Sequence, residues 1–191
     1  MNPYMREFIR TTEELLGSEP VRRMARWTHH GPITTLDHSL FVAYLSFRAA
    51  RALGLDARAA ARGGLLHDLY LYDHRDRSAH PGWQCFDHPR AAARNAAALT
   101  ALTAKEENII RSHMWPLGGS LPRSREAWLV DGVDTFCAGL EFLRLYRPSV
   151  CGSGWVWSRC PLYNAKKRAS PVKRRGAFFV NRRKLRQSCA F

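Results

Sequence analysis

One stretch constrains this chain more than any other: the apolar run Gly63-Gly64-Leu65-Leu66 ends by presenting His67-Asp68 side by side, before Leu69-Tyr70-Leu71-Tyr72-Asp73 carries the chain on. Two metal-binding side chains at the inner end of a hydrophobic helix are costly to desolvate unless something binds them. The fold must therefore bring them partners. Taken alone, a His-Asp pair is more often a hydrogen-bonded core pair or a helix cap than a ligand set. Its company is what counts: His38 precedes it inside a strongly helical segment, His88 and His113 follow at helix-end positions, and Asp134 lies within the last apolar helix.

Apolar spacing predicts helices over most of the first 145 residues. The first runs over 3–16, with Tyr4, Phe8, Thr11 and Leu15 on one stripe and Gly17 to end it; a second runs over 19–27 behind Ser18 as N-cap. A polar and aromatic loop, Arg26-Trp27-Thr28-His29-His30-Gly31-Pro32, leads into a helix over about 35–53 capped by Thr34 or Thr35. His38, Val42, Leu45 and Ala49 share one face there, which turns His38 toward the core. The next helix, about 57–67, is Ala-rich, and Gly63 and Gly64 weaken it unless a neighbouring backbone approaches closely. Residues 70–87 show little periodicity and read as an ordered loop anchored by Trp83 and Phe86, ending with His88 at an N-cap before Pro89. That helix continues to about Leu102. Thr103-x-x-Glu106 is a capping box that starts another helix, which ends at His113. The last helix runs over about 125–145 behind Ser124, with Val130, Val133, Cys137, Leu140, Leu143 and Leu145 as its buried side, Asp134 near that side and Asp131 on another.

This pattern predicts an all-α fold: a single helical domain over residues 1–148, followed by a basic, poorly packed C-terminal extension over 149–191. The net charge of +14 suggests nucleic-acid binding until it is located. Residues 150–191 hold eleven bases and no acid, whereas the first 149 residues carry 19 bases against all 16 acids. The body is thus nearly balanced, and the charge of the whole chain says little about its active site. Five cysteines without a Cys-x-x-Cys pair support neither a zinc ribbon nor a thioredoxin-type site, and a reducing cytoplasm is the expected location. No apolar run approaches the roughly 20 residues needed to span a bilayer.

Four imidazoles and two carboxylates form a borderline-hard ligand set suited to a divalent transition metal such as Fe, Mn, Zn, Ni or Co, with Mg as a further candidate. Six ligands shared by two ions leave about three each, and so leave open positions for water and substrate. Two divalent ions roughly 3.5–4 Å apart can trap a hydroxide and grip a phosphoryl oxygen together. Asp68, beside His67, is the natural bridge.

The order His38, His67-Asp68, Asp134 resembles the HD-domain superfamily of metal-dependent phosphohydrolases, and the added His88 and His113 resemble its binuclear members. Flanking residues fit as well: Asp37-His38-Ser39-Leu40, Leu65-Leu66-His67-Asp68 and Val130-Asp131-Gly132-Val133-Asp134. The resemblance covers about residues 20–145. It implies His38, His67, Asp68 and Asp134 on one metal, with His88 and His113 joining Asp68 on a second. Members acting on nucleoside monophosphates have an Arg-Trp pair before the first ligand, which Arg26-Trp27 is similar to. The family's Lys after the final Asp is Thr135 here, and its proton-transferring Glu three residues after Asp68 is Leu71. Asp73 is the candidate to replace that Glu as general base. Arg26, His30 and Arg75 are candidates to bind a phosphate.

The resulting expectation is a phosphohydrolase acting on a small phosphorylated substrate, a nucleotide above all. Two alternatives stand beside it. Some binuclear-iron HD proteins are oxygenases on the same ligand set, and the tail, with Trp155, Trp157, Phe178 and Phe179 among its bases, could bind nucleic acid non-specifically.

Overall fold

The computed structural model describes residues 2–29, 33–76, 78–79, 82–143 and 145, and these build an all-α fold without a strand. Its helices are α1 (Pro3–Gly17), α2 (Glu19–Arg23) leading into a 3-10 turn (Met24–Arg26), α3 (Thr35–Ala52), α4 (Ala57–Leu66), α5 (Gln84–Leu99), α6 (Ala104–Ser112) and α7 (Arg125–Phe142). The basic residues after 145, and with them the expected domain boundary, lie outside the described residues, as does His30.

Helix α4 is the axis of the bundle. Nine of its ten residues are buried, leaving only Arg58 exposed, and it packs against α1, α3, α5, α6 and α7. A helix buried on every side needs small residues where its neighbours cross, and its composition supplies them. A Cβ added at Gly64 would lie 3.1 Å from the Cα of Ala43 in α3, so the absence of a side chain lets the two backbones touch. At Gly63 the same atom would meet Ile109 of α6 at 2.7 Å. The one buried charge on the axis, Arg62, is 4% exposed and donates through Nε to Glu106 at 2.6 Å. Glu106 in turn accepts the Thr103 backbone N–H at 2.8 Å, completing the capping box of α6. One carboxylate thereby fixes the start of α6 against the middle of α4.

Caps set the other starts as the sequence suggests. Thr34 accepts the N–H of Asp37, Asp56 that of Ala59, and Ser124 that of Ala127, each satisfying an orphan donor of a first turn. Three expectations need correcting. Helix α5 begins at Gln84, because the Trp83 carbonyl accepts from Phe86 and Asp87; Pro89 sits inside the helix, and His88 is an interior residue, not an N-cap. Trp83 is 77% exposed and anchors nothing; the loop before α5 is tied instead by Asn95 Nδ2 donating to the Leu69 carbonyl at 2.7 Å and by Arg75 donating to Thr28 at 2.8 Å.

The third correction concerns α7. Its buried positions are Glu126, Ala127, Val130, Asp131, Asp134, Cys137 and Glu141, a stripe at helical spacing that includes four acids. Leu143 and Leu145, expected to mark the buried side, are each 63% exposed, and Phe136 and Phe142 are exposed too, at 58% and 78%. This helix turns its acids inward and its aromatics outward, the reverse of an ordinary amphipathic helix.

The two kinds of helical glycine give a matched test. Gly64→Ala should lower stability by about 1–2 kcal/mol, because the strain of overpacking two backbones exceeds the gain in helix propensity. Gly132→Ala, on the exposed face of α7 with nothing within 4 Å of the new Cβ, should raise it by about 0.5–1 kcal/mol. Denaturant unfolding of the two variants measures both signs.

Candidate metal centre

Helix ends and inner faces deliver the polar side chains of the core to one place. His38 lies in the first turn of α3, His67 caps the C-terminus of α4 with Asp68 next to it, His113 caps α6, His88 stands in the second turn of α5, and Asp134 is midway along α7. All six are buried, from 0% exposure at His38 and His67 to 8% at Asp134. The turn after Asp68 is tight: Tyr70 N–H donates to the Asp68 carbonyl at 2.8 Å, and Leu71 is held at a left-handed φ of 57°.

The imidazoles share one constraint. His67 Nδ1 lies 2.7 Å from the Gly64 carbonyl, His88 Nδ1 lies 2.6 Å from the Gln84 carbonyl, and His113 Nδ1 lies 2.8 Å from the Ile110 carbonyl. A carbonyl can only accept, so each Nδ1 must carry the proton, and in a neutral ring the lone pair is left on Nε2. Those lone pairs converge. His88 Nε2 and His113 Nε2 are 2.8 Å apart, and His67 Nε2 is buried without a hydrogen-bond partner among the described residues. Two neutral rings cannot hydrogen-bond through two lone pairs, and burial with neighbouring imidazoles pushes both away from protonation: His113 down to about 3, His88 in the same direction. Such a pocket is short of a positive charge, which a divalent ion supplies. The donor set fits one.

Asp68 divides the cluster. Its Oδ1 is 3.5 Å from His88 Nε2 and 3.6 Å from His113 Nε2, while its Oδ2 is 3.6 Å from His67 Nε2. Asp134 Oδ1 completes the second side, 2.8 Å from His38 Nε2 and 3.5 Å from His67 Nε2. Burial alone would raise both carboxyls, but the surrounding imidazoles overcome it and hold Asp68 and Asp134 below the ordinary carboxylate range. His38 and His67 differ from the other two rings. Burial works against their charge, yet carboxylates outweigh it, Asp68 and Asp134 raising His67 and Asp134 and Glu141 lifting His38 to about 10.

The structure thus brings together His38, His67, Asp68, His88, His113 and Asp134. It does not bring Asp73 or Arg26 into contact with them. Asp73 is exposed, and its carboxylate accepts the Arg75 N–H at 2.9 Å; Arg26 is exposed on the 3-10 turn. Arg75 reaches Thr28, next to His29, and so stands beside the cluster.

Two members were not expected. Glu141 contacts His38 Nδ1 at 2.9 Å and His29 Nδ1 at 3.1 Å, and His29 Nε2 lies 3.4 Å from Asp68 Oδ2. Glu141 was detectable in principle, since it follows Asp134 by seven residues and therefore shares its face of α7. His29 carries no periodic signal; it is placed by the bridge between Thr28 and Thr34 and by its N–H to the Ile33 carbonyl at 2.8 Å. Asp131 also departs from expectation. Three residues before Asp134, it is buried, and burial together with the Asp134 charge raises it to about 6.

An all-α bundle whose helix ends aim imidazoles and carboxylates at one buried point is built to hold divalent metal. The chain belongs to the HD domain family, which matches residues 35–139, more than half of its length, and which is a superfamily of metal-dependent hydrolases. No curated protein and no solved structure matches the chain significantly. His29 and Glu141 both fall outside the matched segment.

A chelated sample should show opposed pH dependences. His113 falls from 6.5 to about 3 on folding, so its contribution to stability is present above pH 6.5 and is lost as pH falls toward 3. His38 rises from 6.5 to about 10, so its contribution is full below pH 6.5 and is lost as pH climbs toward 10. His113→Gln should flatten the acid limb of melting temperature against pH and leave the alkaline limb unchanged.

Proposed function

We propose that the protein is a phosphohydrolase that cleaves a small phosphorylated substrate, a nucleotide in the first instance. What carries this reading is Asp68, whose two oxygens face different pairs of imidazole nitrogens, the arrangement of a carboxylate shared between two ions. When bound, a pair of divalent ions supplies Lewis-acid stabilisation of a phosphoryl oxygen and lowers the pKa of a coordinated water. The chain's own groups do the rest. His38, His67, Asp68 and Asp134 hold one ion, and His88, His113 and Asp68 the other. Neutral Nε2 lone pairs, fixed by the backbone carbonyls, require no proton to be displaced from His88 or His113 when the ions bind.

Arg75 is the phosphate-binding residue in this reading, since its guanidinium donates to Thr28, the neighbour of His29, and Arg26, exposed on the 3-10 turn, is a second candidate. Asp73, exposed on the same loop, takes the proton-transfer role that an adjacent Glu would otherwise fill. The aromatic Trp27, half-buried after Arg26, is suited to a nucleobase.

The test is a screen of phosphomonoesters, phosphodiesters and nucleotides with Mn, Fe, Co, Ni and Zn, run on wild type and Asp68→Ala. Phosphate release that depends on metal and falls at least about a thousandfold in the variant is expected, as for loss of a group that holds the reacting centre. Arg75→Ala should raise KM more than it lowers kcat. Oxygen uptake in place of phosphate release by the iron-loaded protein would replace hydrolysis with oxidation at the same ligands.

A further inference from the structure

The centre contains one more imidazole than the family segment accounts for, and that ring is held as the others are. Glu141, 4% exposed, has one oxygen 2.9 Å from His38 Nδ1 and the other 3.1 Å from His29 Nδ1. Each oxygen of this carboxylate thus has one ring nitrogen as its hydrogen-bond partner. Both rings therefore direct Nδ1–H at Glu141 and keep the lone pair on Nε2 when neutral. They lie stacked, with centroids 4.0 Å apart and planes 18° from parallel.

Distances place His29 on one particular side of Asp68. Two donors about 2.1 Å from one ion, at angles between octahedral and tetrahedral, are separated by roughly 3.0–3.4 Å. His29 Nε2 is 3.4 Å from Asp68 Oδ2, and His67 Nε2 is 3.6 Å from the same oxygen. His88 and His113 stand in the corresponding relation to Asp68 Oδ1. His29 is thus at least as close to Asp68 as the recognised positions are, and it stands on the Oδ2 side, with His67.

We propose that His29 is a further protein ligand of the ion held by His38, His67, Asp68 and Asp134, and that Glu141 is the positioning residue that clamps His29 and His38 as a pair. The inference rests on reading the cluster as a metal centre. It gives that ion three imidazoles and two carboxylates and its neighbour two imidazoles and a shared carboxylate. The two positions are thereby unequal: the first is nearly filled by protein, and the second keeps the room for water and substrate.

Zinc-loaded full-length wild type, labelled with 15N in histidine, tests this without a substitution. Long-range proton–nitrogen spectra distinguish a metal-bound Nε2 from a free one, and the His29 Nε2 signal should move on zinc addition together with those of His38 and His67. Should His38 and His67 respond and His29 not, the ligand proposal is overturned while the metal centre stands. Should none respond, both fall. In parallel, cobalt(II) titration of His29→Ala should show affinity at the tighter position reduced at least about tenfold and a changed visible spectrum, and Glu141→Gln should show a smaller loss of the same kind, within the roughly 10–100-fold typical of groups that orient ligands. An unchanged cobalt spectrum and affinity in His29→Ala would contradict the proposal. If His29→Ala does not fold, the wild-type nitrogen spectrum decides alone.

Discussion

The protonation of imidazole Nδ1 is the constraint on which the site depends. Backbone carbonyls at Gly64, Gln84 and Ile110 and the carboxylate of Glu141 each occupy an Nδ1, and every one of them can only accept. The consequence is a set of Nε2 atoms turned toward two carboxylates in a buried pocket. Helix geometry makes this possible: His67 and His113 each follow the last residue of a helix, where the carbonyl three residues back has no helical partner and takes the ring proton instead. Groups that would otherwise be orphaned thus become the means of orienting ligands.

Such a pocket is expensive for the fold. Buried carboxylates and imidazoles cost free energy unless paired, and in α7 they displace apolar residues from the inner face. Stability must come from elsewhere, and α4 shows where. It is buried on all sides, lies against α3 with backbone touching backbone at Gly64, and is joined to α6 through Arg62, Glu106 and Thr103. Rigid packing beside the centre also fixes the helix termini that aim His67, Asp68 and His113. Packing and chemistry are therefore served by the same helix.

The sequence revealed the centre better than it revealed some of the elements that carry it. His67-Asp68 closes an apolar run, and His38 falls on the buried stripe of α3, so elementary periodicity sends both inward. Capping chemistry placed α6 correctly, because Thr103 and Glu106 act within one turn. Failures arose where tertiary contacts overrule local pattern. Proline is favoured at a first helical turn, but α5 accommodates Pro89 in its interior and starts five residues earlier. Apolar periodicity put Val130, Cys137 and Asp134 of α7 on the buried side but misplaced Asp131, Leu143 and Leu145, because the side turned to the core also carries Asp131 and Glu141. His29 was invisible for a third reason: its position comes from a bridge between two loop residues and a partner more than a hundred residues away.

The central claim is that these helix ends converge on two divalent ions with Asp68 between them. Anomalous diffraction from crystals grown with manganese tests it most directly. The account predicts two peaks about 3.5–4 Å apart, one on each side of the Asp68 carboxylate. A pocket with no ion, or ions bound only at the protein surface, would contradict it.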